Sequence, residues 1–517
     1  MAGAWLRLKR LGETVGTVPG SLEARQWQWL RACLARNAAS EFGRTHGFER
    51  IRSVEAYRQA LPMATYDDHR PWIERCAAGE VNALFAGRAL AFERTGGSTG
   101  GAKWIPYTAD SFRDLRRAIV PWLADLVSAE ELEDGCAYWA ISPALRGREY
   151  TPGGIPVGVA DGAYLGADVP PLFAELSALP PWVGELQDFR EWQLATLYGL
   201  LVRSDLALIS VWSPTFFLSL LEALDDRSEE LIAVLGSGGG VSARPLPADH
   251  AARARLRQYR EHQDTRVLWP HLRLVSAWGD GAARGYARAL ARRLPQARFQ
   301  PKGLLSTEGV VTVPGRDGAP QLAADSGFFE FIDHSGALLL AHQLAAGQSY
   351  EVVLTTAGGL YRYRTDDVVT CAGMADGLPL LHFAGRAGLV SDLVGEKLTE
   401  AFVAACLPPT EGFQMLVPCV GEVRGYALIV DAEQPVNRAR LVDTMEQGLA
   451  RNPQYAYARR IGQLHPLRIV PVPHPLATYM QRLRIRGMLL GAIKVPALRP
   501  EPDWLAAFTG RVACTSH

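Results

Sequence analysis

Between Phe92 and Pro106 the chain reads Phe92-Glu93-Arg94-Thr95-Gly96-Gly97-Ser98-Thr99-Gly100-Gly101-Ala102-Lys103-Trp104-Ile105-Pro106. Glycines let the backbone fold back and present its N–H groups, the hydroxyls of Thr95, Ser98 and Thr99 add donors, and Lys103 adds a positive point charge. Together these suit a polyphosphate. A glycine-rich turn between two strands, with a surface lysine, is the plainer reading of the same residues. Two other motifs fail on spacing. Gly96 and Gly101 stand at Walker A separation, but Ala102 precedes Lys103 and Trp104 follows it, so no hydroxyl sits where magnesium needs one. Ser98 lies in a Gly-x-Ser-x-Gly pattern, yet the glycines and Pro106 oppose the helix that a hydrolase elbow requires.

Other groups able to do chemistry are scattered. Asp67-Asp68-His69 has the composition of a metal or acid–base site and equally that of a solvated helix start. Arg116 and Arg117 follow the glycine loop closely and could meet a substrate carboxylate, or simply face solvent. Ser306-Thr307-Glu308 falls at the end of a strand-like stretch, where α/β folds place ligands. Gly236-Ser237-Gly238-Gly239-Gly240 fails the dinucleotide fingerprint because Val241 replaces the third glycine, and it reads as a loop.

The elements that must carry these residues follow from periodicity. Helices are expected over 22–38, over 54–61 behind a Ser53 cap, through Phe112, Leu115, Ile119, Trp122 and Leu126 with a kink at Pro121, and from Pro214. Strand and helix alternate from 272 onward, with a helix over 282–294, giving an α/β class. Glu351 to Thr356 and Leu360 to Val369 read as a hairpin about Gly358-Gly359, with Tyr361 and Tyr363 facing one way and Arg362 and Arg364 the other. After a linker over 385–394 the pattern becomes a small α+β unit whose first strand, 413–417, should stop at Pro418. The expected organisation is therefore a large N-terminal domain, 1–385, of mixed sheets and helices, followed by a small mobile C-terminal domain, 386–517.

The bulk properties exclude several classes. The 517 residues balance 54 basic against 54 acidic side chains, which argues against nucleic-acid and membrane-surface partners. Seven cysteines without a Cys-x-x-Cys point to a reducing, cytoplasmic setting without structural zinc. No segment offers the apolar run of a signal peptide or a membrane span.

The glycine loop, Ser306-Thr307-Glu308, Tyr363-Arg364-Thr365-Asp366-Asp367 and Gly385-Arg386 occur in an order that resembles the acyl-adenylate-forming superfamily. More narrowly, Pro62 to Asp68, Trp269 to Leu274, Gln300 to Gly309, Gly358 to Arg364 and Lys494-Val495-Pro496 resemble the auxin-responsive acyl acid amido synthetases and their bacterial relatives. The resemblance implies that ATP, with Mg2+, activates a carboxylic acid, with indole and aromatic acids as the candidates, and that an amino acid or amine then takes the acyl group. It assigns phosphate contacts to Thr95, Ser98, Thr99, Gly100 and Lys103, and adenosine contacts to Thr307 and the Asp280-Gly281 turn. It gives the ribose to Asp367, ribose or phosphate to Arg386, the metal to Glu308, and charge stabilisation at the α-phosphate to Lys494. Arg116 and Arg117 remain the candidates for the acid. The chain departs from the pattern in carrying Asp366 where the superfamily has glycine, in following Lys494-Val495-Pro496 with Ala497 rather than arginine, and in lacking a clear hinge residue after Arg386. Transfer to coenzyme A and a non-catalytic nucleotide-binding protein are the alternatives. A serine hydrolase built on Ser98 is the least favoured.

Overall fold

The computed structural model describes residues 2–15, 18–95, 103–129, 132, 134–140, 149–158, 165–166, 168–410, 412–421, 424–434, 437–486, 488, 491 and 493–510. Near the N-terminus β1 (Ala91–Arg94) and β2 (Trp104–Tyr107) pair antiparallel around the glycine loop, and β4 (Glu149–Tyr150) and β5 (Pro156–Val157) extend them in the order β2-β1-β5-β4. Beside them stands a parallel sheet, ordered β10-β9-β6-β3, built from β3 (Cys136–Trp139), β6 (Leu206–Ser210), β9 (Leu274–Trp278) and β10 (Arg298–Lys302). The inner strands Leu-Ala-Leu-Ile and Leu-Val-Ser-Ala are buried on both faces, as a sheet covered by crossover helices requires. Helices Phe189–Val202, Pro214–Asp226 and Arg284–Arg293 supply that cover.

A seven-stranded antiparallel sheet, ordered β11-β12-β17-β16-β15-β13-β14, forms the centre of the chain. Its strands are β11 (Thr312–Pro314), β12 (Pro320–Leu322), β13 (Phe328–Ile332), β14 (Leu338–Leu340), β15 (Ser349–Thr355), β16 (Tyr363–Ala375) and β17 (Leu378–Arg386). Helix Leu22–Asn37, capped by Ser21, and the following short helices bury Leu30, Leu34, Phe42 and Tyr57 against it. Each such side chain contributes about 1.5–3 kcal/mol by leaving water. The C-terminal region has the pair β18 (Val390–Ser391) and β19 (Leu398–Thr399) and the sheet β20 (Gln414–Cys419), β21 (Gly425–Asp431), β22 (Arg468–Val472). Its core is not isolated: Phe413, Met415, Tyr479 and Trp504 join Tyr286 and Leu290 in one buried cluster with the parallel sheet.

Four expectations need correction. Gly236 and Ser237 end the helix Ser228–Ser237, and Gly239 begins the hairpin β7 (Gly239–Val241) and β8 (Arg244–Leu246), so that run is no open loop. β20 continues through Pro418 to Cys419, which an edge strand tolerates because the missing N–H is not needed by the ladder. Residues 385–394 include the end of β17 and all of β18 rather than a plain linker. Side-chain alternation fails at Arg362, whose φ of 49° takes it out of the strand and turns its guanidinium inward. There it donates to Glu330 from Nε at 2.9 Å, while Arg58 donates to the same carboxylate at 2.8 Å.

Candidate active site

Strand pairing brings the mouth of the glycine loop together: Arg94 is opposite Trp104, and Thr95 N–H donates to the Lys103 carbonyl at 3.0 Å. Ser98, Thr99 and Gly100 lie outside the described residues. Thr95 Oγ1 is buried with no partner among the described residues, a cost of about 1–3 kcal/mol that a bound acceptor would remove. The Lys103 ammonium stands 5.5 Å from the Tyr66 ring centroid, and Tyr66 Oη accepts from Trp104 N–H at 2.9 Å. Tyr66 opens a helix whose capping box joins Thr65 and Asp68. That settles the Asp67-Asp68-His69 cluster as structural: Asp68 takes the Thr65 N–H, and His69 donates from Nδ1 to the Thr65 carbonyl and accepts the Tyr361 N–H on Nε2. Burial holds His69 below its ordinary pKa, consistent with this neutral tautomer. The described residues hold no group of three or more metal-ligating side chains.

The second half of the site comes from three separate places in the chain. Glu308 follows β10 in a turn closed by Ser306 and Gly309, and Tyr107 on β2 donates to the Thr307 carbonyl at 2.6 Å. Asp367 on β16 is register partner to Arg386 on β17, whose Nε donates to Asp367 Oδ1 at 3.1 Å. Lys494 enters from the C-terminal region, its ammonium 4.0 Å from the Trp278 ring centroid. These groups share one field. Burial, then the charge of Asp367, raises the Glu308 carboxyl above its ordinary range, with Arg386 and Lys103 opposing. Burial lowers the Lys494 ammonium, with Asp367, Glu308 and Glu400 opposing. The Lys494 side chain is nevertheless exposed to solvent. Arg386 is held charged by Asp367 first. Lys103, Glu308, Asp366, Asp367, Arg386 and Lys494 thus lie within electrostatic reach of one another, and an anion with several negative oxygens suits the cations among them.

The GH3 family N-terminal domain matches residues 20–299, its central domain residues 321–386 and its C-terminal domain residues 396–503. The chain belongs to the GH3 family. This GH3 protein is 24% identical to the indole-3-acetic acid-amido synthetase GH3.8 of Oryza sativa subsp. indica over 578 residues, 96% of this chain and 91% of that one. It is also 24% identical to the jasmonoyl–L-amino acid synthetase JAR6 of Nicotiana attenuata, with 72% and 71% of the two chains covered. Among solved structures, the AtGH3.15 acyl acid amido synthetase in complex with 2,4-DB superposes with a TM-score of 0.82 at 19% identity, covering 99% of this chain and 96% of that one. A 2-hydroxyisobutyryl-CoA ligase shares the fold more distantly, at a TM-score of 0.54 and 12% identity over 94% and 91% of the chains.

The remaining sequence candidates occupy varied places in the GH3 fold. Asp280 caps a short helical turn and accepts from His382 Nδ1 at 3.2 Å and Phe383 N–H at 3.3 Å, which ties the loop after β9 to β17. Gly281 has φ of 55°, and a Cβ there would lie 3.1 Å from the Phe383 ring, so the turn is a close-fitting wall. Arg116 donates to both oxygens of Asp168, at 2.6 and 2.8 Å, and to the Leu165 carbonyl. Any acid carboxylate at Arg116 would have to replace Asp168. Arg117 is exposed, with the Asp114 carboxylate 3.9 Å away. Sequence reasoning missed Trp278, Tyr66, Tyr107 and Glu400. Glu400 is buried and accepts from Arg386 N–H at 2.8 Å and Ala497 N–H at 3.0 Å, joining β17 to the Lys494 segment. Tyr66 lies within the Pro62 to Asp68 stretch but was given no role there, the other three lie in no motif, and only partners distant in sequence mark them.

Proposed function

We propose that this GH3 protein is an ATP-dependent acyl acid amido synthetase: it adenylates a carboxylic acid and transfers the acyl group to an amino acid or amine. The observation that carries the reading is the convergence of Glu308, Asp367, Arg386, Lys103 and Lys494 on one centre in a chain of this family. A free carboxylate is a poor electrophile, so the acid oxygen first attacks the α-phosphorus of ATP and pyrophosphate leaves with its bonding pair. Lys494, Arg386 and Lys103 offset the charge that develops on the phosphoryl oxygens. Asp367 accepts from the ribose hydroxyls, Thr307 and the Asp280-Gly281 turn flank the nucleoside, and Thr95 Oγ1 donates to a phosphate oxygen. Mg2+ keeps several waters and needs only one or two carboxylates beside substrate phosphates, so Glu308 would hold it, and its charge would offset that of the phosphates. In the second step the amine nitrogen bonds to the acyl carbon, the C–O bond to AMP breaks, and the amine proton passes to solvent.

Residues 386–517 act as the lid that brings in Lys494, and residues 1–385 hold both substrates. An indole or aromatic acid is the candidate that the indole-3-acetic acid-amido synthetase relative supports, and the jasmonoyl relative supports a non-aromatic acid in its place. The described residues contain no helix long and apolar enough to cross a membrane. Acid-dependent pyrophosphate release, combined with mass spectrometry for a new amide over a panel of acids with mixed amino acids, tests the reading. Pyrophosphate with an amide supports it. Pyrophosphate that yields only a thioester when coenzyme A is supplied replaces it, and silence toward every acid with ATP still bound overturns it.

A further inference from the structure

Lys494 is held differently at its two ends. Its backbone belongs to the C-terminal unit: Tyr479 Oη donates to the Lys494 carbonyl at 3.0 Å, Ala497 N–H reaches Glu400, and Leu416 exchanges backbone hydrogen bonds with Ala497 and Arg499. Its ammonium lies 4.0 Å from the centroid of Trp278, the last residue of β9 in the N-terminal unit. The indole is on a stiff mount. Trp278 N–H donates to the Trp212 carbonyl at 2.9 Å, and its Cα is in register with Lys302 on β10. A Cβ on the next residue, Gly279, would lie 2.8 Å from Pro301, so the strand end is pressed against its neighbour. The Trp212 ring stands 6.0 Å from that of Trp278, and the Lys302 ammonium lies 5.3 Å from the Trp212 ring centroid.

We propose that Trp278 is the positioning residue of the lid lysine, an aromatic platform on the fixed unit that receives the Lys494 ammonium and sets how far the C-terminal unit closes. The proposal rests on the reading of Lys494 as the lysine of the adenylation step. An indole suits the task where a carboxylate would not. A carboxylate partner would neutralise the ammonium and compete with phosphate, whereas a ring face orients it through its quadrupole and leaves the full positive charge available to the reacting oxygens. A long flexible side chain carried on a moving unit otherwise spends its time in many rotamers, few of them directed at the centre. In this proposal the effect of Trp278 passes through Lys494.

The test compares Trp278→Leu, Trp278→Phe and Lys494→Met in the full-length enzyme. Three quantities are read: acid-dependent ATP–pyrophosphate exchange, consumption of a preformed acyl-adenylate by the amine, and backbone hydrogen exchange of residues 493–499. Trp278→Leu should slow pyrophosphate exchange roughly 5- to 30-fold. It should leave adenylate consumption within about twofold. Phe at position 278 should recover most of the lost rate. Trp278→Leu and Lys494→Met should both speed hydrogen exchange over 493–499, and the double variant should exchange no faster than either. Equal losses in both half-reactions, a phenylalanine variant no better than leucine, or unchanged hydrogen exchange in 493–499 overturns the proposal. If Trp278→Leu does not fold, Lys494→Met and Trp278→Phe still decide through hydrogen exchange. A wild-type enzyme inert toward every acid sinks the synthetase reading instead, and the hydrogen-exchange comparison, which needs no turnover, still settles whether Trp278 holds Lys494.

Discussion

Asp366 and Asp367 are neighbours with opposite situations. Asp367 is buried in an ion pair with Arg386, whereas Asp366 has φ of 61°, in the left-handed region that glycine enters freely. The glycine of the wider superfamily pattern therefore answers to backbone geometry, and aspartate is among the few side chains that tolerate the same conformation. Its carboxylate packs over Gly388, where a Cβ would fall 2.5 Å from Asp366 Oδ2, and burial followed by the nearby Glu351 raises its pKa. Asp366→Gly should keep stability within about 1 kcal/mol of the wild type or improve it. By removing a negative charge that faces Lys103, it should also raise the pyrophosphate-release rate, and a chemical melt with a steady-state assay checks both. Glu308 supplies a second prediction. Its folded pKa lies above the ordinary 4.5 through burial and Asp367. Ionising it therefore costs the fold nothing below 4.5, and progressively more as pH rises through the folded value. In the ligand-free protein Glu308→Gln should be more stable than wild type near neutral pH. The gain should vanish toward pH 4.5, in melts across that range. Pyrophosphate release should fall roughly 100-fold, because the loss is of charge at the phosphates.

At the scale of elements, the hairpin of β15 and β16 stores its specificity in one buried network. Glu330 on β13 is 1% exposed and Arg362 4%, and Arg362 also donates to the Leu61 carbonyl at 2.6 Å. Arg362→Met leaves Glu330 with Arg58 alone and should cost about 3 kcal/mol in urea unfolding. Replacing Glu330 and Arg362 together by leucine should cost less than either single change, since no buried charge is then stranded. The same network shows where sequence reading succeeds and stops. Glu308 drew notice because a strand end is a local property of the chain, whereas Asp367 was singled out only by the family resemblance. Arg362 was not: alternation predicted its face from its neighbours, whereas its partners Glu330 and Leu61 lie 32 and 301 residues away and override the local pattern. Pro418 failed for a related reason, since whether a strand is at an edge depends on strands not yet met. Trp278 was one of thirteen tryptophans, and only the fold distinguishes it from those in the core.

At the scale of the molecule, Glu400 ties the end of β17 to the Lys494 segment. One carboxylate oxygen accepts the N–H of Arg386, the last residue of β17, and the other accepts the N–H of Ala497, three residues past Lys494. Glutamine offers a single acceptor oxygen, so Glu400→Gln must leave one of these N–H groups unmatched. The expected result is about a tenfold slower adenylation half-reaction with adenylate consumption spared, measured by rapid quench.

Arg386 and Asp367 are opposite each other because the two strands between them agree on their length. From the turn at Asp376-Gly377 the hairpin β16–β17 carries one extra residue on each strand, at the register shifts between Cys371 and Gly373 and between Gly385 and Phe383. The two surpluses cancel by the time the strands reach the site. The turn itself can therefore be lengthened or shortened without changing the register at Asp367 and Arg386. One residue gained or lost on a single strand beyond it reverses the face on which Arg386 emerges, and rotates the departure of the whole C-terminal unit with it. The hairpin acts as a ruler whose far end is free to vary and whose near end is not.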